Sequence, residues 1–74
     1  MSQSEIKAEV AGSMWKVLIK PGDTFDEGDT LMIIESMKME IPVIAEDAGR
    51  VLDVRATEGQ PVAEGEIVCT VELS

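Results

Sequence analysis

The feature that most constrains this chain is an internal repeat. Laying residues 4–36 over 41–73, an offset of 37, gives nine identities in 33 positions with no gap. Three of them are glycines: Gly12 with Gly49, Gly22 with Gly59, and Gly28 with Gly65. The others are Ala8/Ala45, Glu9/Glu46, Ala11/Ala48, Val17/Val54, Glu27/Glu64 and Glu35/Glu72. A fixed-period repeat constrains the whole architecture, because each copy is one unit that cannot bury its apolar face alone. Two copies in 74 residues must then share a single core.

The units themselves read as β. Glu5 to Val10 alternates, with Ile6, Ala8 and Val10 on one face and Glu5, Lys7 and Glu9 on the other, and Gly12 breaks the run. Trp15, Val17 and Ile19 alternate with Lys16, Leu18 and Lys20, and in the second copy Leu52, Val54 and Ala56 lie over them. Lys20-Pro21-Gly22-Asp23 carries turn chemistry, with proline presetting φ and glycine free to take a positive one. A short strand is expected around Phe25, before the turn at Glu27-Gly28-Asp29.

Leu31 to Ile34 is an apolar run of strand length. Met39, Ile41, Val43 and Ala45 share one face of the next strand, where Pro42 demands an edge or a point needing no ladder donor. Turns follow at Asp47-Ala48-Gly49, Glu58-Gly59 and Glu64-Gly65, and Ile67 to Leu73 is the last strand. No segment sustains helical periodicity. The expectation is one all-β domain over 1–74, a flattened barrel or sandwich of two quasi-symmetric four-stranded halves packed about a pseudo-two-fold axis.

Residues 37–40 are left over between the copies and form the hairpin that links them. Under the two-fold, the equivalent place is where the chain begins and ends, so Lys38 is expected at the opposite end from residues 1 and 74. A two-residue hairpin favours Asn-Gly or Gly-X, because its central residues need positive φ. Met37-Lys38 ignores that preference, and such a conflict marks a place where function overrides stability. The alternative reading of these residues alone is a solvated turn lysine with two methionines sealing the core edge.

Composition removes several function classes. The net charge of −9 speaks against a nucleic-acid backbone or an anionic membrane as partner, since both need a basic face. There is no histidine and only one cysteine, so zinc sites, His-driven catalysis and an intrachain disulfide lose their usual players. No metal site and no catalytic residue are assigned. Tyrosine is absent, and Trp15 and Phe25 alone make no stacking platform. Cys69 alternates with Ile67 and Val71 and reads as a small core residue. No signal peptide or membrane-length run is visible, so a monomer in a reducing cytoplasm is expected.

Glu35-Ser36-Met37-Lys38-Met39-Glu40-Ile41-Pro42 resembles the attachment motif of biotinyl domains, which set methionine on both sides of the modified lysine. The resemblance spans nearly the whole chain, two glycine-punctuated β repeats with the lysine at their junction. It is closest to small stand-alone bacterial biotin/lipoyl attachment proteins, and similar to the biotin carboxyl carrier domain. The resemblance implies that biotin protein ligase joins biotin to the Lys38 amine. It also implies that the arm carries a carboxyl group between biotin carboxylase and carboxyltransferase.

Met37 and Met39 are then contact residues for cofactor or partner, or simply fill irregular space. Ser36 belongs to the same contact set. Glu35 and Glu40 are either read by the ligase or are charges on exposed strand ends, and Glu72 repeating Glu35 without a lysine favours the second reading for Glu35. The rival within the fold is a lipoyl domain of a 2-oxoacid dehydrogenase complex, whose lysine typically follows an acidic residue and precedes a small one. Met-Lys-Met departs from that pattern, and lipoate on Lys38, alone or beside biotin, is the second reading. A cofactor-free scaffold module is the third. Lys20–Thr30 is too short for the protruding segment of some carboxylase biotinyl domains. The short polar lead without a Pro/Ala-rich linker suits either a free carrier or a domain cut from a longer chain.

Overall fold

A computed structural model describes residues 2–73. Eight strands follow one another: β1 Ser2–Lys7, β2 Gly12–Val17, β3 Thr24–Phe25, β4 Thr30–Ser36, β5 Met39–Ile44, β6 Gly49–Val54, β7 Pro61–Val62 and β8 Ile67–Leu73. They form two antiparallel sheets, ordered β1-β8-β6-β3 and β5-β4-β2-β7. The molecule measures 36 × 19 × 18 Å.

Registers recur at the offset seen in the sequence. Glu35 faces Glu40, Ile34 faces Ile41 and Met32 faces Val43, while Glu72 faces Gln3, Val71 faces Ser4 and Cys69 faces Ile6. The β2–β4 ladder repeats in the same way as β6–β8. The core obeys the same rule. Its buried residues Ala8, Met14, Phe25, Leu31, Met32 and Ile34 recur 37 places on as Ala45, Val51, Val62, Val68, Cys69 and Val71. The first copy carries the larger side chain at several equivalent core positions, Phe25 where the second has Val62 and Met32 where it has Cys69, so the two halves fill one interior unequally.

The halves and the sheets do not coincide. Each sheet takes two strands from each copy, so the copies interlock. Turn residues of one half bond to the core strand of the other. Gly22 N donates to Val51 O at 2.8 Å and Val51 N to Asp23 O at 2.8 Å, mirrored by Gly59 N to Met14 O at 2.7 Å and Met14 N to Gln60 O at 2.9 Å. Gly22 and Gly59, at φ +95° and +87°, aim their N–H groups at these carbonyls through a conformation that side chains rarely adopt.

Four readings need correction. Trp15 and Leu52 are not the inward residues of their strands. A bulge in each ladder, between Met14 and Lys16 and between Val51 and Asp53, shifts the alternation so that Met14 and Val51 are buried. β1 begins at Ser2 and stops at Lys7, earlier at both ends than its alternation suggested. The break after it falls at residues 8–11, and Gly12 opens β2. β7 at Pro61–Val62 has no strand signal of its own in the sequence and follows only as the counterpart of the short strand at Phe25. Of the two places open to Pro42, the structure gives it the edge, since β5 ends its sheet.

Gly12 and Gly49 cannot grow a side chain. A Cβ on either would land on a backbone carbonyl oxygen, that of Glu35 or of Glu72. Gly12→Ala and Gly49→Ala should each lose about 2 kcal/mol or more of stability, the range of an overpacked core site, measured by urea denaturation. Cys69 is fully buried, and desolvation pushes its thiol from 9.0 up to about 11. The folded state holds that proton longer than the unfolded chain, so stability should fall as pH rises from about 9 to about 11, at about 1.4 kcal/mol per pH unit. Cys69→Ala should flatten this part of the stability profile.

Candidate functional site

β4 and β5 are joined by only two residues. Ser36 pairs with Met39, leaving Met37 at φ 52° and Lys38 at φ 66°. Two successive positive φ values are what a type I′ hairpin requires, because that turn matches the right-handed twist of its strands. For side-chain-bearing residues this costs roughly 1 to 2 kcal/mol each. No other non-glycine residue among those described has positive φ. The local strain is concentrated where the lysine is presented.

Lys38 is exposed, and no hydrogen bond or ion pair holds it among the described residues. Met37 is 92% exposed and Met39 65%, so neither seals the core. Ser36 is half-buried, and Glu35 and Glu40 are exposed and directly opposed across the ladder. Like charges so placed are destabilising. At the equivalent place in the other half, Glu72 faces Gln3 and meets Arg50 at 3.4 Å. Ser13 stands where Arg50 does, and no ion pair reaches Glu35 or Glu40 among the described residues. The repeat of Glu35 by Glu72 therefore does not extend to its neutralisation. Reading the repeat for its differences at Ser13 and Arg50, rather than its identities alone, would have exposed this.

The expected separation of Lys38 from residues 1 and 74 falls on residues outside those described. Their neighbours Ser2 and Leu73 are paired, in the place equivalent to Met39 and Ser36. β1 runs away from that pair to Ala8, which bonds to Gly65 and Glu66 before β8 begins, and Gly12 then lies against Glu35. The hairpin and the Ser2–Leu73 pair lie at opposite ends.

Fold and hairpin together define a class: two-fold β-sandwiches that hold out a lysine at the junction of their repeats. Residues 2–71 match the biotin/lipoyl family model described as "Biotin-requiring enzyme", and the chain belongs to that family. It is 44% identical to the biotin/lipoyl attachment protein of Bacillus subtilis, over 93% of this chain and 92% of the relative. It is 41% identical to the biotin carboxyl carrier protein of Streptococcus mutans, over 86% of this chain and 49% of that one. Among solved structures, a single-chain, multi-domain long-chain acyl-CoA carboxylase superposes with TM-score 0.92 at 29% identity, covering 97% of this chain and 7% of the carboxylase. Among the described residues no helix is long and apolar enough to cross a membrane.

If the hairpin is held against its own preference, easing it should stabilise the domain. The double variant Met37→Asn/Lys38→Gly should gain about 1 kcal/mol or more, seen as a higher urea midpoint. An unchanged or lower midpoint would mean that the turn stores no strain.

Proposed function

We propose that this chain is a biotin carrier, with biotin joined through an amide to Lys38. The observation that carries the reading is an exposed lysine, free of partners among the described residues, at the tip of a strained hairpin in a domain of this family. The donor fits the group: a primary amine on a flexible four-carbon stem, presented where an enzyme can reach it. In the attachment step the Lys38 nitrogen, once deprotonated, attacks the acyl carbon of biotinyl-AMP. The C–N bond forms, the bond to the phosphate oxygen breaks, AMP leaves and the amine gives up a proton. Lys38 loses its charge, as in acetylation.

Bound biotin supplies a ureido nitrogen able to take up and release a carboxyl group. The chain supplies the rest. The β4–β5 ladder fixes the pivot of the arm, and the tether raises its effective concentration at every site within reach. Met37 and Met39 offer polarizable apolar contacts beside it, and Ser36, Glu35 and Glu40 complete the contact set. No chemistry of its own is assigned to the domain. It has no histidine, and its cysteine is buried with a raised pKa.

Its partners are then biotin protein ligase, a biotin carboxylase and a carboxyltransferase, and the one unpaired cysteine supports a reducing, cytoplasmic setting. The Bacillus subtilis relative carries both cofactors in its name, so lipoate is the second reading. The test is intact mass after co-expression with biotin protein ligase. The wild type should gain one biotin amide and Lys38→Arg none. A lipoyl increment alone, or no increment, overturns the biotin reading.

A further inference from the structure

The two copies share one backbone, so a residue and its counterpart 37 places on occupy the same local geometry. Where they differ, the fold itself did not demand the difference. The outer faces of the two sheets differ systematically. Lys16 pairs with Ile33, whose strand neighbours Met32 and Ile34 are buried, so both point outward. The Lys16 ammonium lies 5.5 Å from the centroid of the Trp15 ring, which puts the indole on the same outer face. Leu18 and Ile44 are exposed between residues that pack on the core. Trp15, Leu18, Ile33, Pro42 and Ile44 correspond in the other sheet to Leu52, Arg55, Thr70, Glu5 and Lys7.

The five large hydrophobics exposed among the described residues are Trp15, Leu18, Met37, Met39 and Ile44, and all lie in the lysine-bearing sheet, its hairpin or the residue that follows β2. The grooves beside the two edge strands repeat the contrast. The one along β5 sets Lys7 and Glu9 among Val10, Ile34, Ile41, Pro42, Val43 and Ile44. Its two-fold mate along β1 has more polar residues, with Ser4, Glu5, Lys7, Glu46 and Asp47 beside Ile6, Phe25, Val71 and Leu73.

We propose that this outer face docks the biotin carboxylase that loads the arm, through a surface that combines an apolar hollow with a rim of lysine or arginine. The proposal rests on the carrier reading. Charge complementarity selects the occupant. Glu35 and Glu40 oppose each other at the hairpin end of the face without a counter-charge among the described residues, and a basic rim would relieve them. A second copy would bring the same acidic pair and another net charge of −9, and an anionic membrane would repel it. Size selects further. Seven residues of β4 at about 3.3 Å each carry the face about 20 Å from the hairpin. Modifying one amine requires only the tip, whereas an enzyme that must hold the domain while the arm works can use the whole face.

The test begins with mass, which shows whether the wild type carries biotin; a chain without it overturns the carrier reading rather than the docking face. The biotinylated, 15N-labelled chain is then titrated with the biotin carboxylase encoded in the same genome. The indole of Trp15 and the amides of Leu18, Ile33 and Ile44 should shift or broaden, while those of Leu52, Arg55 and Thr70 stay still. Leu18→Arg/Ile44→Lys installs the residues that the other half already carries at the equivalent places, so the fold should tolerate it. It should accept biotin at the wild-type rate yet raise the KM for carrier at least tenfold. The mirror variant, Arg55→Leu/Thr70→Ile, should stay within twofold. Shifts confined to the hairpin, or a KM within twofold for Leu18→Arg/Ile44→Lys, overturn the docking face. A biotinylated wild type that neither binds nor is carboxylated overturns the choice of partner.

Discussion

The structure depends on reciprocal backbone bonding between its two copies. The turn at Gly22-Asp23 closes on Val51, and the turn at Gly59-Gln60 closes on Met14. Gly28 and Asp29 clasp Ala45 while Gly65 and Glu66 clasp Ala8. Each of the residues clasped in this way is buried. Buried backbone groups must be paired, and here each copy satisfies the other's. Neither copy has a closed ladder or a sealed interior by itself. Sharing both is how so short a chain assembles a core from residues too few for two.

That rigidity is what makes the hairpin possible. Met37 and Lys38 hold positive φ because the ladder on either side dictates where the chain must leave β4 and enter β5. Gly12 tightens the same region, since its strand approaches the Glu35 carbonyl too closely for any side chain. A turn built of glycine would be more stable and would present nothing. The strain is thus a local consequence of placing a reactive side chain where the strand twist wants none.

The symmetry also separates what the fold needs from what it does not. Core positions are matched in kind, all apolar in both copies. Outer positions are matched only in place, with Ile33 against Thr70 and Ile44 against Lys7. At the hairpin end, Arg50 neutralises Glu72 while Ser13 leaves Glu35 bare. Selection for packing cannot account for such contrasts, because both sets sit on the same backbone. They lie together on the sheet that carries Lys38.

Much of this was legible in the sequence because it is local. Glycine spacing reported the repeat, and an ill-suited Met-Lys turn reported the hairpin with its lysine. Alternation failed at Trp15 and Leu52, where bulges set by cross-strand pairing add a residue and turn Met14 and Val51 inward. The exchange of strands between sheets was likewise invisible, since it is decided by hydrogen bonds between residues far apart in the chain. The sequence by itself determined the all-β class, the period of 37 and the exposed lysine, because dihedral preference and alternation act within a few residues. Only the tertiary structure decided which faces pair, which acid is neutralised and which apolar side chains stay in water, because those depend on neighbours that only folding brings together.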